Sequence, residues 1–256
     1  MYLIPFLLTL FAGLATSIGA LISFNKKINK NILLPVSLGL SAGVMIYVSF
    51  VEIFPKAFEA LSVNHDEDMA YLLTTIAFFV GIAFIAVIDY LIPKKANPHE
   101  YKSETSSESL MRLGLFSALA IAIHNFPEGL ATFIAAIDDT TLGLSIAIAI
   151  GIHNIPEGIA IAMPVYHATQ SRKKAFWITF LSGFAEPLGA IIGFVFLRNV
   201  LNDTTFGFAF ALVAGIMIYI SIDELLPTAE KYGKHHLSMI GVVMGMIIMA
   251  LSLILF

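Results

Sequence analysis

Eight stretches of about 20 consecutive apolar residues, joined by short polar connections, leave this chain little choice of fold. At 1.5 Å per residue, a helix of about 20 residues crosses the roughly 30 Å hydrocarbon core of a bilayer. In lipid every backbone N–H and C=O must be bonded within the chain, which an α-helix achieves segment by segment. The stretches lie at about 2–24, 33–57, 69–92, 112–136, 142–166, 174–197, 206–228 and 237–256. They predict an all-α polytopic membrane protein with eight transmembrane helices, built as a single transmembrane domain over 1–256. The first stretch is expected to be an uncleaved span, because no basic residue precedes it and it is longer than the apolar region of a signal peptide. With 58% hydrophobic and only 12% charged residues, no room remains for a separate soluble or nucleotide-binding domain, and no nucleic-acid partner is expected. The lipid bilayer is the solvent. Cysteine is absent, which excludes disulfides, thiolate chemistry and Cys-type metal sites.

Orientation follows from the basic residues, since Lys and Arg in short loops stay on the cytoplasmic side. The first, third, fifth and seventh connections hold Lys26, Lys27 and Lys30; Lys94, Lys95, Lys102 and Arg112; Arg172, Lys173 and Lys174; Lys231 and Lys234. Only Lys56 and Arg198 fall elsewhere, near the opposite ends of spans. Both termini are therefore expected on the extracytoplasmic side of a cell membrane. The third connection, about 93–111, carries Pro93, Pro98 and a Ser/Glu/Thr run, and its composition predicts a flexible cytoplasmic linker. The acidic connection Asn64-His65-Asp66-Glu67-Asp68 reads as a solvated loop, with a weak cation-collecting entrance as the alternative.

Two internal repeats organise the chain. Residues 42–57 align without gaps with residues 214–229, with Ala42, Gly43, Met45, Ile46, Tyr47, Ser49, Glu52, Pro55 and Ala57 recurring as Ala214, Gly215, Met217, Ile218, Tyr219, Ser221, Glu224, Pro227 and Ala229. The loop charges make these two helices, the second and the seventh, run in opposite directions. Helices 1 and 6 match more weakly through Gly13/Gly183, Ala15/Ala185, Gly19/Gly189 and Ala20/Ala190. Between them, His124-Asn125-Phe126-Pro127-Glu128-Gly129 in helix 4 recurs 29 residues later as His153-Asn154-Ile155-Pro156-Glu157-Gly158 in helix 5. Three helices, a central pair and three more make a 3+2+3 inverted-repeat arrangement, a layout of secondary transporters that bind their solute near the membrane midplane.

The doubled motif carries the chemistry. Residues three and four apart share a helix face, so His124, Asn125 and Glu128 stand together, as do His153, Asn154 and Glu157. A single His or Asn in a span reads as an interhelical hydrogen bond, but carboxylates at mid-span are costly unless paired and mark function by default. A divalent cation accounts for all six side chains together, while a proton relay uses similar residues. Pro127 and Pro156 remove the hydrogen bonds of the Ile123 and Ile152 carbonyls and are expected to kink the helices there, turning free oxygens toward an ion. Glu186, beside Pro187 in helix 6, is a further intramembrane carboxylate and a candidate seventh ligand. Glu52 and Glu224 are gates, relay ligands or simple interfacial carboxylates. Met45 and Met217 are expected to pack, and His235 and His236 either receive metal or are solvated.

The two His-Asn-x-Pro-Glu-Gly copies, the eight spans and the loop before helix 4 resemble the ZIP family of zinc and iron transporters, in its bacterial zinc-uptake branch. That resemblance covers essentially the whole chain. It implies a two-metal centre of His124, Asn125, Glu128, His153, Asn154 and Glu157, bridged by Glu128 and Glu157 and joined by Glu186. The transported substrate is expected to be Zn2+, with Fe2+, Mn2+, Co2+ or Cd2+ also admitted by thiolate-free N/O ligation, and no organic cofactor is implied. A homodimer is one candidate assembly. The cytoplasmic loop departs from the His-rich loops of many relatives, holding only His99. Two other functions use the same residues: a proton-coupled metal exporter, and an intramembrane metallohydrolase, against which stands the lack of a His-Glu-x-x-His motif.

Overall fold

In this computed structural model, the described residues are 2–25, 30–91, 107–138, 140–197, 202–232 and 235–255. They contain eight apolar helices long enough to cross a membrane: α1 (Leu3–Ser23), α2 (Ile32–Ser62), α3 (Glu67–Tyr90), α4 (Leu110–Ile137), α5 (Gly143–Thr169), α6 (Arg172–Val195), α7 (Asp203–Glu230) and α8 (His235–Ile254). These coincide with the eight expected stretches to within a few residues at most ends. The linker expected at about 93–111, with His99, Lys94, Lys95 and Lys102, lies largely outside the described residues, as do Lys26, Lys27, Arg198 and Lys234. Its last residues differ from expectation, because helix begins at Ser107. A helical backbone can run past the bilayer into water, which apolar length alone does not reveal.

The largest difference from the expected spans is at the end of α2, which continues to Ser62 rather than stopping near 57. The α-helix over Lys30–Val48 widens into a π segment at Ser49–Ile53 and resumes at Phe54–Ser62, with Pro55 in its first turn. Proline has no N–H and its ring crowds the carbonyl four residues back, and a π turn ahead of it relieves both problems without ending the helix. The matching stretch of α7 does the same, with a π segment at Ile220–Leu225 ahead of Pro227. Glu52 and Glu224 each sit in one of these π segments.

Helix ends in the connections are fixed by side chains. Asp66 Oδ1 accepts from Met69 N at 2.9 Å at the start of α3, Ser171 caps α6, and Asn202 with Thr205 forms a capping box on α7. Asp66 thus has a structural task within the acidic connection.

Two groups of helices result. In one, α4 packs against α5 and α6 while α1 packs against α5; in the other, α2 packs on α8 and α3 on α7. Glycines let backbones touch within each group. A Cβ on Gly19 would lie 2.1 Å from the Ile155 carbonyl oxygen, and one on Gly189 would lie 2.0 Å from that of Phe126. The first contact joins α1 to α5 and the second joins α6 to α4. Small residues serve this purpose in membrane proteins, where packing rather than water exclusion draws helices together. Large side chains such as Phe79, Phe84 and Leu181 face outward, as a lipid environment allows. Met45 and Met217 are fully buried, and Ser49 Oγ donates to the Met45 carbonyl at 2.6 Å and sits 3.6 Å from Met217 Sδ. Both methionines are packing residues of the interior, as expected.

Candidate metal site

Helices α4 and α5 remain helical through both copies of the motif. His124 and Glu128 therefore stand one turn apart on α4, and His153 and Glu157 one turn apart on α5. The antiparallel packing of these helices brings the two sets face to face. His124 Nε2 lies 3.2 Å from Glu128 Oε2 and 3.5 Å from Glu157 Oε1, while His153 Nε2 lies 3.5 Å from Glu128 Oε2. Ligand atoms of His124, Glu128 and His153 all fall within 4.8 Å of one another. A tetrahedral zinc ion about 2.0–2.2 Å from each ligand holds those ligands about 3.4 Å apart. The three nitrogen-to-oxygen separations of 3.2–3.5 Å are close to that value.

The side chains of the cluster are buried. His124, Asn125, Asn154, Glu157 and Glu186 are completely buried, and His153 and Glu128 nearly so. Yet Nδ1 of His124, Nδ1 of His153, Oε2 of Glu157 and the amide oxygens of Asn125 and Asn154 have no hydrogen-bond partner among the described residues. So many unpartnered polar atoms at one buried spot are expensive. A divalent cation is one group that would satisfy the acceptors among them.

The two asparagines are oriented by their nitrogens. Asn154 Nδ2 donates to the Ala12 carbonyl of α1 at 2.9 Å, and Asn125 Nδ2 approaches the Ser182 carbonyl of α6 at 3.5 Å. With the nitrogen tied to a neighbouring backbone, each amide oxygen is left as a free acceptor. These carbonyls are structural partners that sequence reasoning missed. Ala12 and Ser182 precede Gly13 and Gly183, where α1 and α6 meet backbone to backbone, and only that close approach puts them in range.

Glu186 joins the same neighbourhood by a different device. Pro187 leaves the carbonyl of Gly183 without its helical donor, and α6 breaks there into Arg172–Gly183 and Ala185–Ile192. Glu186 falls in the first turn of the second segment, where a helix dipole favours negative charge. Its Oε1 accepts a short hydrogen bond from Asn154 Nδ2, and its Oε2 has no partner. A Cβ on Gly129, the last residue of the first motif, would lie 2.0 Å from the Glu186 carbonyl oxygen. Glycine at that place is what lets α6 approach the motif. The seven candidate ligands thus lie on α4, α5 and α6, and His124, Glu128 and His153 form the tightest group among them.

A cavity of about 230 Å³ reaches this cluster. Glu128 and His153 line its inner part, Val48, Ile146 and Ile150 its walls, and Glu52 and Lys56 also line it. Glu52 and Lys56 form an ion pair one turn apart on α2. Sequence reasoning singled out Glu52 but not its partner, although the four-residue spacing was there to be read. Glu224, by contrast, is buried. His235 bonds to Glu230 at 2.7 Å, and both are exposed.

Comparison with known proteins agrees with these features. A family model described as ZIP Zinc transporter matches residues 2–89 and 92–253. Proteins named Zinc transporter ZupT are similar over nearly their whole length. The one from Chlorobaculum parvum is 59% identical, covering 99% of this chain and 98% of that protein. The one from Streptococcus mutans is 56% identical, covering 98% and 97%, and the one from Oceanobacillus iheyensis is 57% identical, covering 99% and 98%.

Proposed function

Because this chain belongs to the ZIP family of zinc transporters, we propose that it carries zinc into the cytoplasm through the His124, Asn125, Glu128, His153, Asn154, Glu157 and Glu186 cluster. The observation that carries this most directly is the separation of 3.2–3.5 Å between imidazole nitrogens and carboxylate oxygens contributed by two helices. Those spacings suit ligands of one tetrahedral ion, and the unpartnered oxygens of Glu157, Glu186 and the two asparagines suit a second ion or a step along its path. Glu128, which faces both imidazoles, is the bridging carboxylate of this scheme, with Glu157 opposite it. Ligation by nitrogen and oxygen alone also admits Fe2+, Mn2+, Co2+ and Cd2+.

Zinc enters by the cavity lined by Glu52 and Lys56, exchanges its water for the ligands and leaves on the other side when one helix group shifts against the other. Matched glycine contacts support the inverted-repeat arrangement on which such a shift relies. Gly43 meets Val242 as Gly215 meets Phe78, and Gly245 meets Leu40 as Gly81 meets Leu212. The positions of the loop lysines and arginines support termini outside the cytoplasm. Transport, not hydrolysis, is favoured because the two matching motifs offer no distinct acid and base and the His-Glu-x-x-His arrangement is absent from the sequence.

Zinc-65 influx into metal-starved cells or vesicles tests the proposal, comparing the natural protein with a Glu128→Ala/Glu157→Ala variant at matched membrane expression. Influx that the variant abolishes is expected. Equal influx in both removes the cluster from the pathway, and zinc depletion of expressing cells points to export.

A further inference from the structure

Lys56 is out of place. It is a cation at the wall of a cavity that leads to a cation site, and it lies one turn beyond Glu52, to which it is paired. The repeat does not require it, since the matching position of the other half is Thr228, a buried neutral residue. Glu52 recurs as Glu224, but Lys56 does not recur. The pair is also partly exposed: the side chain of Lys56 is 46% exposed and that of Glu52 30%. Exposed pairs of this kind are weak and exchange easily. Lys56 and Glu128 line the same cavity.

We propose that Glu52 is the first carboxylate met by the entering divalent cation and that Lys56 is a tethered competitor for it, making Lys56 a specificity-determining residue at the mouth of the pathway. This rests on the transport function proposed above. The physical reason is charge. A carboxylate attracts a dication about twice as strongly as a monovalent ion at equal distance. A monovalent ion must displace an ammonium of the same charge that is already covalently held nearby, and gains nothing by doing so. A dication gains enough to replace it. The lysine thereby keeps sodium and potassium from filling the mouth, at some loss of affinity for zinc.

Initial rates of zinc-65 influx are to be measured against zinc concentration for the natural protein, Lys56→Gln, Lys56→Arg and Glu52→Gln, each at low and at physiological potassium chloride. Lys56→Gln is expected to lower KM about fivefold at low salt, because one positive charge leaves a cleft that focuses potential. Its maximal rate is expected to stay within about twofold, and its KM to rise more steeply with salt than that of the natural protein. Lys56→Arg is expected to keep or raise the natural KM, and Glu52→Gln to raise it. An unchanged KM and salt response in Lys56→Gln overturns the proposal. If that variant fails to reach the membrane, an unchanged KM in Glu52→Gln overturns it equally. Absence of saturable zinc influx by the natural protein instead brings down the transport function itself, so the two failures are distinct.

Discussion

Glu157 Oε1 lies 3.5 Å from His124 Nε2, although the two side chains stand on different helices and 33 positions apart in the chain. The same nitrogen lies 3.2 Å from Glu128 Oε2 on its own helix. One imidazole nitrogen facing two carboxylates is poorly served by a single proton and well served by a dication.

Replacing either carboxylate separately therefore tests the sharing. Glu128→Gln and Glu157→Gln each keep the shape and remove one negative charge, and each is expected to lower zinc affinity by about tenfold to a hundredfold, the scale on which metal sites respond to loss of a supporting group. Isothermal titration of the purified protein with zinc measures this, and unaltered affinity in both variants excludes the site.

Zinc should also stabilise the fold. A ligand that binds only the native state at a hundredfold excess over its Kd adds about 2.7 kcal/mol. The melting temperature in detergent is expected to rise with added zinc, and the rise to vanish in Glu128→Ala/Glu157→Ala. A rise of equal size in that variant would place the binding elsewhere.

The two asparagines are expected to differ. Asn154 donates to both Ala12 and Glu186, whereas Asn125 approaches only the Ser182 carbonyl among the described residues. Asn154→Asp removes the donor and sets a second carboxylate against Glu186, so it should impair zinc influx more than Asn125→Asp does. Influx assays on the two variants at equal expression decide the point, and the reverse order would contradict the hydrogen-bond assignment.

Packing of α1 on the motif can be checked independently of metal. A Cβ on Gly158 would lie 1.8 Å from the Thr16 carbonyl oxygen, whereas one on Gly151, two turns earlier on the same helix, would meet nothing nearer than 3.4 Å. Gly158→Ala is expected to destabilise the protein by about 3 kcal/mol or more, the upper range for overpacking, because the clash is with backbone. Gly151→Ala should change little. Thermal unfolding of both in detergent compares them directly.

Much of this was legible before any coordinates. Eight spans follow from apolar length, and the candidate ligand set from a motif written twice, because both signals are local: a helix must satisfy its own backbone in lipid, and residues four apart must share its face. The π segments were not legible. Pro55 and Pro227 fall inside the expected spans at about 33–57 and 206–228, and only the structure shows the helix widening ahead of each before it continues.

The sequence by itself determined that this chain spans a membrane eight times and that two antiparallel helices each bring a histidine, an asparagine and a glutamate to one face. Tertiary structure alone decided which atoms meet across helices. It set His124 against Glu157, tied Asn154 to Ala12 and Glu186, and put Lys56 and Glu128 on one cavity. The reason is that periodicity fixes the direction of a side chain from its own helix, whereas the distance between helices depends on how closely their glycines let the backbones approach, a property of both partners at once.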